Sequence, residues 1–203
     1  MSDESTPDGW PVALRGVTES VVATLGPNDR WNQAALGLHA PDDGGPVTAV
    51  TWGRTRTRGN FERRDGGVVQ FTTDPREFVD AALDVTETEE PVRDGAAAWV
   101  EVDAERVAEG EDGGTEWIRW ALTPRSSSVV ERTVPTINRG FYAVVDATVA
   151  ASRLDVSAYD TAALLDRLAY FAETVERCGG HRERTAFARI DDLTDWRDRN
   201  ESL

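Results

Sequence analysis

Through the first two thirds of the chain, apolar and polar positions alternate with the period of half-buried strands. Val17 to Leu25 (VTESVVATL) is rich in β-forming residues and stops at Gly26-Pro27-Asn28-Asp29. Trp31 to His39 (WNQAALGLH) resumes the pattern and is closed by Pro41-Asp42-Asp43-Gly44-Gly45. Strands joined by so short a turn are expected to be antiparallel neighbours. Val47 to Trp52 reads as a third strand, with Val47, Ala49 and Thr51 on one face and Thr48, Val50 and Trp52 on the other. The loop Gly53 to Gly67 separates it from a fourth strand, Val68 to Thr72. Asp74 is placed to cap a short helix starting at Pro75 and turning Phe78, Val79, Ala82 and Leu83 inward. After the acidic connection Glu87 to Gly95, strands are expected at Ala96 to Val107, Glu116 to Pro124 and Ser127 to Val134. About six strands with short polar connections predict a closed or nearly closed antiparallel barrel.

The period then becomes helical. Asn138 to Leu154 (NRGFYAVVDATVAASRL) carries Ala143, Ala147, Ala150 and Ala151 on one side, small residues that allow close approach. A second helix opens at Asp160 or Thr161, with Ala162, Leu165, Leu168, Ala169, Ala172 and Val175 as its stripe, and ends at Gly179-Gly180. Arg182 to Trp196 is amphipathic but polar, either a last helix or an extended tail. The expected organisation is a loose arm over 1–15, a barrel domain over 16–135, a helical hairpin packed on it over 136–180, and a C-terminal tail or helix over 181–203. The class is α+β, mainly β.

Charge changes this picture in one place. The chain has 22 basic residues, all arginine, against 37 acidic ones, a net charge of −15. An acidic surface without lysine resembles that of proteins from extreme halophiles, in which molar salt screens carboxylate repulsion. Duplex nucleic acid is not an expected partner, because phosphate binding needs a broad basic footprint. No apolar run approaches the ~20 residues of a membrane span. The start MSDESTPDGW lacks the features of a signal peptide, so a cytoplasmic location is expected. A lone cysteine, Cys178, and two histidines, His39 and His181, argue against a disulfide or a metal site.

Against that acidic background, residues 54–64 (RTRTRGNFERR) hold five arginines and one glutamate. Two readings stay open: a socket for a specific anion, or a solvated hairpin whose arginines pair with nearby carboxylates. On an extended backbone Arg54, Arg56 and Arg58 fall on one side and Thr55 and Thr57 on the other, with Gly53 and Gly59 free to bend the chain. A phosphate monoester would suit the hydroxyls of Thr55 and Thr57, one or two guanidinia and the amide of Asn60, leaving Arg63 and Arg64 to solvent or an interface. No nucleophile elbow, zinc-protease motif, P-loop or dinucleotide fingerprint is present. If chemistry occurs, a cofactor is expected to carry it.

In order along the chain, Trp31-Asn32-Gln33-Ala34-Ala35-Leu36-Gly37, the arginine-threonine loop ending in Asn60, Val69-Gln70-Phe71-Thr72-Thr73-Asp74-Pro75 with Phe78, and Asn138-Arg139-Gly140 opening an alanine-rich helix that closes at Ala151-Ser152-Arg153-Leu154 together resemble a little-characterised, largely archaeal family of FMN-binding split barrels. That family is related in architecture to flavin reductases and pyridoxamine-phosphate oxidases. The resemblance implies a six-stranded split barrel that dimerises, with FMN in a groove near the dimer interface. It implies a phosphate site at Arg54, Thr55, Thr57, Arg58 and Asn60, and a ring lying along Asn32, Gln33, Ala34 and Ala35 and the strand end Thr72-Thr73, with Asn138 and Arg139 contributing from the helix. The chain departs from such families at Ala35, where proline is common, and at Gln70, where asparagine often stands. The implied activity is hydride transfer between NAD(P)H and FMN; flavin binding without turnover, and an acidic scaffold docking a partner through the arginine loop, are the alternatives.

Overall fold

The computed structural model of the protein describes residues 7–41 and 44–201, and the chain divides into two compact units. The first comprises residues up to Thr73 together with Thr86–Arg132, and the second Asp74–Val85 together with the chain from Thr133 onward.

The first unit contains seven strands: β1 (Gly16–Leu25), β2 (Trp31–Ala40), β3 (Thr48–Trp52), β4 (Gly66–Thr72), β5 (Thr86–Thr88), β6 (Ala96–Asp112) and β7 (Thr115–Val129). Their order is β1-β4-β6-β7-β3-β2-β5, and β1 also pairs with β2 along its whole length, from Gly16 opposite Ala40 to Leu25 opposite Trp31. That last pairing closes six antiparallel strands on themselves and leaves β5 as a short flap on β2, Trp31 opposite Thr88. The expected six-stranded split barrel is therefore present. Closure removes the open edges that a six-stranded sheet would otherwise expose.

The barrel interior is filled by alternate side chains of these strands, among them Val22, Leu36, Leu38, Ala49, Val69, Val100, Ile118 and Leu122. Trp10 and Leu14 are buried in the same core, so the expected loose arm does not hold over its second half; residues 1–6 of that arm, and part of the turn at 41–45, lie outside the described residues. Two apolar anchors explain why: burying a large side chain gains about 1.5–3 kcal/mol, enough to offset ordering a few residues. Of the connection Glu87 to Gly95, the beginning is strand β5 and not loop.

The main departure lies between β3 and β4. The stretch expected as an extended arginine-threonine loop contains helix α1 (Arg56–Arg64), with Thr55 as N-cap accepting from the Arg58 amide at 3.2 Å and Asp65 closing it in the left-handed conformation. Phe61 drives it: fully buried, its ring lies 5.2 Å from that of Trp120 inside the barrel. One burying aromatic and a good cap outweigh the poor helix propensities of Thr57, Gly59 and Asn60.

The second unit is helical: α2 (Pro75–Leu83), α3 (Arg139–Ala151), α4 (Thr161–Cys178), α5 (His181–Thr194) and α6 (Trp196–Glu201). Asp74, Asn138 and Asp160 cap α2, α3 and α4 as their positions in the sequence suggest. The segment from Arg182 resolves into two helices, beyond the hairpin expected. The core of this unit gathers Val79 of α2, the alanine face of α3, Leu165 and Leu168 of α4, Ile190 of α5 and Trp196 of α6. Ala162, expected in the α4 stripe, is exposed, and Leu164 takes the inward place. No helix among the described residues is long and apolar enough to cross a membrane, and no group of three metal-ligating side chains occurs among them.

Candidate functional site

A cleft of about 490 Å³ opens on the barrel unit where the β1–β2 turn, the start of α1 and strand β5 meet. Gly26, Pro27 and Asn28 form one lip, Arg54, Thr55 and Arg56 the other, and Asn32, Gly59, Asn60, Arg63 and Glu87 complete the walls. Arg56, Gly59, Asn60 and Arg63 are spaced i, i+3, i+4 and i+7, so a single helical face supplies them. This 3.6-residue spacing is the signal that an extended reading of the loop misses.

The electrostatics of the cleft favour an anion. The positive end of α1 points here, and its first turn carries no acidic residue. Arg54 is exposed on the lip and has no ion-pair or hydrogen-bond partner among the described residues. Nη1 of Arg56 donates to Oε1 of Glu87 at 2.8 Å, leaving the rest of its guanidinium available. Deeper, Asn60 is buried, donating Nδ2 to the carbonyl and hydroxyl of Thr24 at 3.3 and 3.0 Å while its Oδ1 accepts from Nη1 of Arg63 at 2.9 Å. Asn60 is thus a strut that ties α1 to β1 and holds Arg63 against the wall.

Of the residues expected to contact the ligand, Asn32, Arg54, Thr55 and Asn60 line this cleft. Others do not. Arg58 lies on the opposite side of α1, donating to the Gly53 carbonyl at 3.3 Å, to Glu116 at 3.1 Å and to Glu62 at 3.3 Å. Thr57 is buried beneath the helix. The family resemblance implies both as phosphate contacts, and strand alternation would set them on opposite sides; in the helix each residue instead turns by about 100° from the last. Arg63, expected to face solvent or an interface, is exposed and also lines the cleft.

The proposed ring contacts are also redistributed. Gln33 is buried and fully engaged: its Nε2 donates to Thr88 Oγ1 at 2.9 Å and the Pro91 carbonyl at 3.1 Å, and its Oε1 accepts from Gln70 Nε2 at 2.9 Å. Gln70 in turn accepts from the Arg93 amide at 2.6 Å. This satisfied network fastens β5 and the segment after it to the barrel wall. Ala34 and Ala35 are half-buried on β2, and Ala34 packs on the barrel core. The hydroxyl of Thr72 donates to the Gly95 carbonyl at 3.2 Å, Thr73 is exposed, and neither lines the cleft. Asn138 and Arg139 belong to the helical unit, where Oδ1 of Asn138 accepts from the amides of Gly140 and Phe141 as the cap of α3. The histidines His39 and His181 are exposed and outside the cleft.

Comparison with known proteins gives two family matches and a set of similar folds. Residues 18–131 match the model described as the N-terminal domain of a protein of unknown function, DUF447, and residues 138–192 match the C-terminal model of the same name. Among solved structures, an FMN-bound DUF447 protein from Methanosarcina mazei superposes with a TM-score of 0.76 at 21% identity, covering 89% of this chain and 96% of its own. The flavin reductase of styrene monooxygenase from Pseudomonas putida S12 gives a TM-score of 0.42 at 9% identity, over 59% of this chain and 93% of its own. An FMN-binding protein from Thermus thermophilus with bound p-hydroxybenzaldehyde gives 0.40 at 13%, over 61% and 77%. A search of curated proteins found no match. With its N-terminal model spanning the barrel strands and its C-terminal model the helices that follow, the chain belongs to the DUF447 family.

Proposed function

We propose that this protein binds FMN, with the phosphate in the cleft at the start of α1. The observation that carries the reading is Arg54, a guanidinium without a partner among the described residues, beside a capped helix N-terminus and Arg56. A phosphate monoester carries about −1.5 to −2 charge at neutral pH and several acceptor oxygens, which match guanidinium donors, the Thr55 hydroxyl and free amides of the first helical turn. The volume of the cleft lies within the range of about 300–1,000 Å³ usual for small-molecule sites. The same fold, in a DUF447 protein at 21% identity, is described as FMN-bound, which supports the choice of anion. In this reading Arg54 and Arg56 bind the phosphate, Asn60 and Arg63 form the floor, and Asn32 faces the remainder of the ligand.

When bound, FMN would supply a two-electron acceptor for hydride from a nicotinamide nucleotide. The chain's own part is binding and orientation, since neither histidine lines the cleft and its one carboxylate, Glu87, is tied to Arg56. Turnover and binding without turnover are separated by adding NAD(P)H to flavin-loaded protein: bleaching of the flavin absorption marks an oxidoreductase, and persistent colour marks a carrier or sensor. A homodimer belongs to the same reading, and sedimentation in molar KCl giving a mass near the 22.3 kDa of one chain would refute it.

The binding claim is tested by titrating FMN and riboflavin against the purified protein in high salt, followed by quenching of flavin fluorescence. Arg54→Ala is expected to weaken FMN about tenfold or more and to leave riboflavin unchanged, since a charge-assisted bond to phosphate is worth about 1.5–3 kcal/mol. Arg58→Ala, on the far side of the helix, is the control and should bind FMN like the parent. Equal affinity of parent and Arg54→Ala for FMN would place the phosphate elsewhere.

A further inference from the structure

The cleft contains one acidic side chain, and it is not at the rim by accident of a flexible loop. Glu87 is carried on β5, which pairs with β2 and is fastened by the half-buried Gln33–Thr88 bond. Both carboxylate oxygens are engaged across the cleft: Oε1 accepts from Arg56 at 2.8 Å and Oε2 accepts from Nδ2 of Asn28 at 3.1 Å. Its side chain is 30% exposed, so its charge is incompletely screened by water. The lining therefore holds three guanidinia, Arg54, Arg56 and Arg63, and one fixed carboxylate. Attraction to phosphate alone gives no role to a negative charge bonded to one of the cleft's own arginines.

Building on the phosphate reading above, we propose that Glu87 is a specificity-determining residue that limits how much negative charge the cleft accepts. It neutralises Arg56 in part and repels any anion seated beside it. The repulsion grows with the charge of the ligand, because the Coulomb energy is proportional to the product of the charges. A neutral polyol end feels none, a single terminal phosphate is tolerated because Arg54 and the helix N-terminus answer it, and a pyrophosphate is penalised further. The retained carboxylate thus turns a general anion socket into one suited to a monoester.

The test compares Glu87→Gln with the parent, the amide keeping the shape and one of the two acceptor oxygens that Arg56 and Asn28 use. Affinities are measured for riboflavin and FMN by fluorescence quenching, and for inorganic phosphate and pyrophosphate by calorimetry. The expected result is a graded gain in the variant: riboflavin unchanged, FMN and phosphate tighter by about three- to tenfold, and pyrophosphate by more, all shrinking as KCl is raised from 0.2 to 2 M. Weaker FMN binding in the variant would mean that Glu87 aligns Arg56 and would overturn the proposal. So would unchanged anion affinities, or a gain equal for riboflavin and FMN. A parent that ignores FMN but shows the graded gain with phosphate and pyrophosphate would sink the flavin reading alone. The absence of that gradient sinks the role of Glu87 whether or not flavin binds.

Discussion

At the scale of residues, Asn60 shows how a residue's place in the sequence and its work in the fold can differ. Its place at the end of an arginine-rich stretch suggests an amide offered to phosphate, and it does line the cleft. Both of its amide hydrogens nevertheless go to Thr24, itself fully buried. Asn60→Ala is therefore expected to leave two acceptors of Thr24 and one donor of Arg63 unanswered. The cost should be about 1–3 kcal/mol, read as a lowered midpoint in denaturant unfolding at fixed salt. The residues legible from sequence were those whose role is set by type: Arg54 as a charge out of keeping with its surroundings, and Asp74, Asn138 and Asp160 as caps. The directions of Arg58, Thr57 and Arg63 are not legible in the same way, because side-chain direction follows from backbone period, and an extended reading has a period of two where α1 has 3.6.

At the scale of elements, the strands and long helices were legible because burial repeats in them over many residues. Helix α1 was not, since only Phe61 among its nine residues is a large apolar side chain and its inner face includes Thr57 and Asn60. A buried polar face has no hydrophobic signature to read. Close approach between elements is equally hidden until the backbone is known. A Cβ at Gly140, early in α3, would sit 2.5 Å from the Cα of Gly179, where α4 ends. The contact is with backbone and cannot be relieved by rotating a side chain. Gly140→Ala is expected to destabilise the helical unit by about 1–3 kcal/mol despite the better helix propensity of alanine, as measured by loss of helical circular dichroism on heating.

At the scale of the whole molecule, the acidic surface and the closed barrel make opposite contributions. Closure and a filled interior stabilise, while a net charge of −15 on 203 residues works against compaction. Screening shortens the reach of that repulsion from about 10 Å at 0.1 M salt to about 3 Å at 1 M. Raising KCl over this range should increase the melting temperature, and a melting temperature that falls would show that the surface ion pairs, such as Arg56–Glu87 and Arg189–Asp84, matter more than the net charge. The two units are also interleaved along the chain. Helix α2 leaves the barrel sequence after Thr73, joins the helical core through Val79, and gives way to β5, which belongs to the barrel again. Neither unit is thus complete until late in synthesis. A ribosome will have released α2 long before α3, α4 and α5 exist to cover it, and the barrel cannot close before β7 emerges some forty residues afterwards. In a cell, the apolar face of this one short helix stays uncovered even after the barrel has closed, and it is a surface that a chaperone would need to shield for longest.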